Sequence, residues 1–399
     1  MNTTLKHWKE AATLILAAGR KLGSDSLSSR TPALTAATGS PQGSSPARSQ
    51  LPQFDYGVLL LKRSGKSGFM PNAYVFPGGM VDSSDFSSDW LDVFKSFSSS
   101  PSFGLRSVKQ PMETRPPIFA TDRLKLGSPI PGEVALRICA LRETFEESGV
   151  LLVVSNKEDK HLLKDCNDIC ASDQPCKVND MCSSELSKWR DLVNQHPSNF
   201  IRMCRELEVL PNIWALHEWG NWLTPAAKYG ATRFDTAFFI CCLQDIPHTL
   251  QDQKEIVHFE WSSPSEVLQS YQAQDIQIAP PQFYELSRMC RFPLLNDLHN
   301  FAHQRATEGC EQWMPVFVSK DGHYISLLPG DHLYPLDASA RVDESTDHQP
   351  KDPQEDSALH RMVILDLYNI DLQINITPRC NHLLPVVEQS LPHDSKSKL

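Results

Sequence analysis

The stretch RETFEESGV, which runs from Arg142 to Val150, places three carboxylates within five residues. In a helix from Glu133 to Ser148, steps of 100° per residue put the apolar side chains on one narrow face and the carboxylates on the opposite side. Glu143 and Glu147 are four residues apart, and like charges at that spacing destabilise a helix by about 0.2–0.5 kcal/mol. The apolar face comprises Val134, Ile138, Leu141 and Phe145, and the acidic side comprises Glu143, Glu146 and Glu147.

This acidic side has two interpretations, and the residues alone leave both open. It is either the solvated outer face of an amphipathic helix or a site for a divalent cation. A helix that only faced water would gain from a lysine in place of Glu143 or Glu147. Hard cations such as Mg²⁺ prefer oxygen ligands and commonly combine one or two carboxylates with water and substrate phosphates. The pattern therefore indicates a candidate metal site beside the simpler solvated face.

Composition limits the possible partners. The chain has 399 residues and a formal net charge of −10, which argues against nucleic acid or an anionic membrane as the main partner. The early apolar stretch from Ala12 to Ala18 is too short to span a bilayer. It is not preceded by a basic region of the signal-peptide type, so we do not expect secretion. We expect a globular protein that needs neither a membrane nor nucleic acid.

Two groups stand out among the eleven cysteines. Cys139, Cys241 and Cys242 lie inside apolar runs, which predicts buried thiols in a reducing compartment. The others of interest lie closer together but contain no CxxC pair, so a zinc site and free surface thiols both stay open. This looser cluster comprises Cys166, Cys170, Cys176 and Cys182.

The order of predicted elements indicates an α/β protein. Residues 19–52 are rich in Ser, Pro, Thr and Gly, a composition that predicts a disordered loop. Residues 83–131 are again Ser- and Pro-rich and predict an inserted loop with a helix near WLDVFKSF, whereas 156–210 predict a mostly helical insertion. The predicted strands cover 8–19, 56–64, 150–155, 213–225, 233–243 and 255–261, with a hairpin at 73–82, and the main helices cover 131–149, 184–197, 198–210 and 263–271.

RETFEESGV resembles the second half of the Nudix box, GX5EX7REUXEEXGU with U apolar, and departs from it only at Thr144, where an apolar residue is usual. The stretch FPGGMVD, with Gly79 as first glycine, is similar to the usual lead-in to the box. The pattern has 13 residues between that glycine and the arginine, but 62 separate Gly79 from Arg142, so about 49 are inserted. The first glutamate of the pattern falls on Asp85, and Glu133 is the other candidate.

The resemblance implies a fold and a division of the chain. The fold would be the Nudix fold, an α/β (α+β) arrangement in which a mixed β-sheet is sandwiched between helices. The Nudix domain would cover residues 1–300 and carry two insertions, one within the Nudix box at 83–131 and one at 156–210. Residues 301–399 would form a C-terminal extension.

The resemblance also implies roles for individual residues. Glu143, Glu146 and Glu147 would hold Mg²⁺ or Mn²⁺, with the backbone carbonyl of Gly79 or its neighbour Gly78 nearby. Arg142 would orient the carboxylates, a role that suits a bidentate guanidinium. Two further assignments keep their alternatives: Glu255 is an additional ligand or base or else a surface glutamate, and Lys62 and Arg63 contact a substrate phosphate or else end a strand in solvent.

A box that is split by a long insertion resembles the peroxisomal coenzyme A diphosphatases of the Nudix family. The sequence also ends in Ser397-Lys398-Leu399, a tripeptide that the peroxisomal import receptor reads. The expected protein is therefore an enzyme of the peroxisomal matrix, and we expect it to be a monomer. It would hydrolyse coenzyme A and acyl-coenzyme A to adenosine 3′,5′-bisphosphate and (acyl-)4′-phosphopantetheine.

Two alternatives to that function stay open. A Nudix hydrolase could act on another nucleoside diphosphate derivative, such as NADH, ADP-ribose or capped RNA. The chain could also be a catalytically silent Nudix module that binds a nucleotide. A silent box would be expected to lose a carboxylate, and all three are present.

Overall fold

The computed structural model describes residues 8–20, 53–68, 70–97, 100, 102–156, 183–225, 232–252, 255–320, 322–335 and 357–386. The strands described there are β1 (Trp8–Gly19), β2 (Tyr56–Arg63), β3 (Tyr74–Val75), β4 (Gly78–Met80), β5 (Val153–Ser155), β6 (Val209–Pro211), β7 (His217–Leu223), β8 (Arg233–Leu243), β9 (Ile256–Ser262), β10 (Gln312–Trp313), β11 (Val316–Lys320), β12 (His323–Leu327), β13 (His360–Ile364) and β14 (Ile370–Ile374). The α-helices are α1 (Trp90–Val93), α2 (Pro117–Ala120), α3 (Gly132–Ser148), α4 (Ser183–Gln195), α5 (Asn199–Leu207), α6 (Pro264–Gln272), α7 (Pro280–Met289) and α8 (Leu295–Arg305).

Several predictions fall on residues that are not described. Residues 21–52 of the predicted disordered loop lie outside the described part, although its first residue, Gly19, belongs to β1 and pairs with Tyr56. The C-terminal tripeptide Ser397-Lys398-Leu399 also lies outside it, as do the four loosely clustered cysteines. Within the described part, no helix is both long enough and apolar enough to cross a membrane.

The central sheet is mixed and is built around β1. This strand runs parallel to β8 along most of its length, and β7 and β10 continue the sheet on that side. On the other side, β1 pairs with two strands: β4 pairs antiparallel with Ala11–Thr13, and β2 pairs antiparallel with Ala17–Gly19. Strands β3 and β9 pair with β2. Pairing with β1 brings the short strand Gly78–Met80 into the middle of the sheet.

Helices cover both faces of this sheet, which confirms the predicted sandwich. Because side chains alternate along a strand, Leu14 and Leu16 pack with α3 on one face, whereas Ile15 and Ala17 pack with α7 and α8 on the other. The predicted burial of Cys139, Cys241 and Cys242 is also confirmed.

The predicted extent of helix α3 is confirmed, but the surroundings of its acidic side differ from the solvated face that was one interpretation. It ends where expected, because Gly149 adopts φ 72° and its N–H donates to the Phe145 carbonyl, a common use of glycine at a helix end. The predicted apolar face is buried, but so is much of the acidic side, where Glu147 is only 4% exposed. Thr144, the departure from the box, is fully buried and donates its hydroxyl to the Ala140 carbonyl. The solvated-face interpretation is therefore wrong.

The first insertion is a packed part of the domain rather than a bare loop. The helix expected near WLDVFKSF forms over Trp90–Val93, and the side chains of Trp90, Phe94 and Phe103 enter the same core as α3. Arg115 fixes the far end of the insertion, since its guanidinium meets Glu218 of β7 at 2.7 Å and Glu133 of α3 at 2.5 Å.

We expect Arg115→Ala to lower the free energy of unfolding by about 3–5 kcal/mol, because it leaves the fully buried Glu218 carboxylate unpaired. Urea unfolding of the full chain would measure the loss. Arg202→Ala is the matched control, since its ion pair with Glu206 is solvent-exposed and should be worth less than about 1 kcal/mol. Equal losses in the two variants would contradict the assignment.

The C-terminal part forms a second sheet that the sequence did not indicate. Its strands follow the antiparallel order β11-β12-β13-β14. Met362 and Leu372 from this sheet pack into the core around α7 and α8. His360 connects the sheet to α7, because its ring forms hydrogen bonds with the Tyr284 hydroxyl at 2.8 Å and with the Pro329 carbonyl at 2.7 Å.

Candidate active site

Arg142 lies at the centre of the acidic cluster and is 2% exposed. Its Nη1 donates to Oε1 of both Glu143 and Glu146 at 2.8 Å. Its Nε and Nη2 donate to the two oxygens of Asp85 at 2.9 and 2.8 Å, and Nη2 also reaches the Met80 carbonyl at 3.1 Å. One guanidinium therefore contacts three carboxylates and the strand β4 that carries the glycines, an arrangement in which Arg142 could orient the carboxylates.

The structure distinguishes the two candidates for the first acidic residue of the box. Asp85 is 1% exposed, forms the bidentate pair with Arg142 and accepts the N–H of Asp82, the N-cap residue of the short 3₁₀ helix Ser83–Phe86. Glu133 instead pairs with Arg115. Asp85 follows Gly79 at the spacing of the pattern and contacts Arg142, so the two halves of the split box meet in space. The rest of the insertion follows Asp85 in the sequence.

Two glycines bring the backbone of β4 against the acids. The N–H of Gly78 donates to Oε2 of Glu147 at 2.9 Å. A Cβ on Gly79 would lie 2.5 Å from the Glu143 carboxylate, which is closer than any side chain tolerates. The main chain and the carboxylates therefore share one confined space, as expected if the Gly79 carbonyl lies near a metal.

The acidic cluster contains more carboxylates than positively charged side chains. Burial raises the pKa of Glu143 to about 7, and burial together with the Glu143 charge raises the pKa of Glu147 well above its usual range. Among the described residues, no three His, Cys, Asp or Glu side chains already converge as a metal site. However, Arg142 engages only Oε1 of Glu143 and of Glu146, and Gly78 engages only Oε2 of Glu147, so the other oxygen of each glutamate can face a ligand. This donor set fits a hard divalent cation.

The raised pKa of Glu143 leads to a test of metal removal. Between pH 4.5 and about 7, the folded protein keeps a proton on Glu143 that the unfolded chain has lost. In EDTA, the melting temperature should therefore fall as the pH rises through that window. Mn²⁺ should raise the melting temperature more at pH above about 7 than at about pH 5. An equal gain in Glu143→Gln would contradict a role for this carboxylate in cation binding.

Three further predicted residues lie at the adjoining end of β2. Arg63 meets Glu255 at 2.7 Å, and both act electrostatically on Glu147, which places them beside the acids. The Glu255 side chain is 51% exposed. Lys62 points to the other face of the sheet, where its Nζ lies 5.7 Å from the centre of the Tyr74 ring. Arg63 and Glu255 therefore lie on the face of the sheet that carries the acids, whereas Lys62 lies on the opposite face.

Comparison with known proteins agrees with this geometry. A family model described as the NUDT19 Nudix domain matches residues 8–289. The chain belongs to the Nudix hydrolases. A second model, the NUDT19 C-terminal domain, matches residues 317–375, which include the second sheet of this Nudix protein.

Curated relatives match this Nudix hydrolase along its whole length. Acyl-coenzyme A diphosphatase NUDT19 of Xenopus laevis is 47% identical and that of Gallus gallus is 42% identical, and each match covers 100% of both chains. The Homo sapiens protein of that name is 36% identical over 95% of this chain and 94% of its own. Among solved structures, a NUDIX hydrolase from Alicyclobacillus acidocaldarius has a TM-score of 0.45 and 20% identity, over 72% of this chain and 92% of that one.

The second insertion of this Nudix protein and the loop before β9 supply contacts that the sequence did not suggest. Arg190 of α4 donates from Nε to the Glu146 carbonyl at 2.9 Å, and the Asn194 amide approaches the same oxygen at 3.4 Å. The Leu250 N–H donates to the Ser148 carbonyl. These groups surround the last turn of α3. Their positions in the sequence could not predict these contacts, because the residues belong to a separate helix and to a loop outside the box.

Proposed function

We propose that this Nudix hydrolase cleaves the diphosphate of coenzyme A and of acyl-coenzyme A. The products would be adenosine 3′,5′-bisphosphate and (acyl-)4′-phosphopantetheine. The observation that carries the proposal is the intact set of carboxylates around Arg142, beside Gly78 and Gly79. It stands in a chain whose full-length relatives are named acyl-coenzyme A diphosphatases.

We propose Mg²⁺ or Mn²⁺ as the cofactor, held by Glu143, Glu146 and Glu147 and by the carbonyl of Gly79. Such a cation neutralises diphosphate charge and makes the phosphorus open to attack by water. Arg142 holds the Oε1 atoms of Glu143 and Glu146, and the Gly78 N–H holds Oε2 of Glu147, so the three carboxylates would keep a fixed orientation towards the substrate. Because these side chains are preorganised, little reorganisation is needed at the moment of reaction.

Glu255 and Arg63 would complete the site at the end of β2. Glu255 combines partial exposure with proximity to Glu147, so it is our candidate for an additional ligand or for the base that accepts a proton from the attacking water. The Nε of Arg63 is buried without a hydrogen-bond partner among the described residues. Arg63 would therefore bind a phosphate, and Lys62 would bind the 3′-phosphate of coenzyme A from the opposite face.

The substrate assignment can be tested with a panel. The purified full chain with Mg²⁺ should hydrolyse coenzyme A and an acyl-coenzyme A with the highest kcat/KM, compared with NADH, ADP-ribose and capped RNA. A preference for NADH, ADP-ribose or capped RNA would contradict the substrate. Binding of a nucleotide without hydrolysis of any compound would favour a silent binding module.

We further propose the peroxisomal matrix as the location, with the tripeptide Ser397-Lys398-Leu399 bound by the import receptor. Deletion of Leu399 should move the tagged full chain from peroxisomes to the cytosol. If the tagged protein without Leu399 stayed in peroxisomes, the targeting role of the tripeptide would be contradicted.

A further inference from the structure

A pocket of about 300 Å³ lies at the end of α3, where the second insertion meets the loop before β9. One wall comes from α4 and contains Arg190 and Asn194. The other wall comes from the loop and contains Gln251 and Asp252. The pocket adjoins the catalytic acids, because Arg190 and Asn194 contact the Glu146 carbonyl, and the Asp252 side chain accepts the Glu255 N–H at 3.4 Å.

Arg190 is the side chain in this pocket with an unused hydrogen-bonding group. Its Nε is committed to the Glu146 carbonyl, but its Nη2 is buried and has no hydrogen-bond partner among the described residues. A buried, unsatisfied guanidinium N–H is costly. If Arg190 only held α4 against α3, its Nε would be sufficient. We therefore expect a bound group to accept a hydrogen bond from Nη2.

The charge of the pocket argues against a phosphate as that group. Asp191 and Asp252 line the pocket with Arg190 and act on its charge, so the carboxylates outnumber the cation. Asn194 and Gln251 add amide donors and acceptors. A neutral chain that carries amides and a hydroxyl fits this mixture better than an anion does, because it can accept from Arg190 and donate to the acids.

Resting on the proposed function, we propose that this pocket binds the pantetheine arm of the substrate, with Arg190 Nη2 donating to an amide carbonyl. The diphosphate would lie over the box acids. The nucleotide half would extend towards the basic residues at the end of β2, and the pantetheine half towards α4. The second insertion is then a specificity element that recognises the pantetheine half of coenzyme A.

Calorimetric titration of the full chain in Mg²⁺ would test this with the two halves of the substrate. We expect Arg190→Ala to weaken 4′-phosphopantetheine binding about tenfold, the effect of losing one charge-assisted hydrogen bond. Binding of adenosine 3′,5′-bisphosphate should change less than about twofold. Gln251→Ala, on the opposite wall, should weaken 4′-phosphopantetheine binding about threefold. Lys188→Ala is the matched control, because Lys188 is exposed on the same helix.

The outcomes separate this inference from the proposed function. If the wild type hydrolyses coenzyme A but Arg190→Ala and Gln251→Ala bind 4′-phosphopantetheine normally, the pocket assignment is wrong. An equal loss for both halves in Arg190→Ala would mean that Arg190 only supports the fold, and would also overturn it. If the wild type neither binds the halves nor cleaves coenzyme A, the proposed function fails together with the inference.

Discussion

Replacing Glu147 with glutamine should lower kcat for acyl-coenzyme A about 10²–10³-fold, as removal of one preorganised group in an active site commonly does. Glutamine keeps the shape of the side chain and can still accept the Gly78 N–H. It removes only the negative charge that a divalent cation needs. The metal-free variant should melt no lower than the wild type, because burial opposes the charged form of Glu147.

The matched control for this substitution is Glu113→Gln, an exposed glutamate of the first insertion. Its kcat should stay within about twofold of the wild type, since surface substitutions away from a site have small effects. Steady-state kinetics and thermal melts of both variants are needed together. Loss of activity in Glu147→Gln that is accompanied by an equal loss of folding would contradict a catalytic role.

The second large effect is expected at Asp85. In Asp85→Asn, an amide nitrogen would face the guanidinium N–H groups of Arg142, so the bidentate pair is lost and two donors oppose each other. Breaking a buried pair costs about 3–5 kcal/mol. Since the freed guanidinium also orients Glu143 and Glu146, we expect kcat to fall about a hundredfold. Kinetics below the melting temperature would measure this.

Glu133→Gln provides the comparison, because Glu133 is the other acid at the split in the box and pairs with Arg115 instead. Its kcat should stay within about threefold of the wild type, since it is not in contact with Arg142. If Glu133→Gln were the inactive variant and Asp85→Asn the active one, the rejoined box described above would be wrong.

The sequence was informative wherever structure depends on local pattern. The strand Trp8–Gly19 and the helix around RETFEESGV follow from hydrophobic periodicity and from Gly149, so their positions could be predicted. The covering of the acidic side could not be predicted, because it comes from Gly78–Met80 and Asp85, which are 57 or more residues away from Arg142 along the chain. Because spacing along the chain did not decide between Asp85 and Glu133, both remained candidates for the first acid of the box.

Two larger features were hidden by composition. The Ser- and Pro-rich composition of the first insertion predicted a loop with one helix, yet a few aromatics such as Trp90 and Phe94 are enough to pack it against α3. The strands of the C-terminal sheet are only five residues long, such as His360–Ile364, and their periodicity is too short to recognise. Arg190 carries no motif, so its place at the end of α3 emerges only from packing.

Product analysis tests the central claim most directly. The purified full chain would be incubated with an acyl-coenzyme A, with Mg²⁺ or with EDTA, and the products identified by mass spectrometry. We predict adenosine 3′,5′-bisphosphate and the acyl-4′-phosphopantetheine in equal amounts with Mg²⁺, and neither with EDTA. An intact acyl-coenzyme A, or free fatty acid and coenzyme A in place of these products, would contradict a metal-dependent diphosphatase.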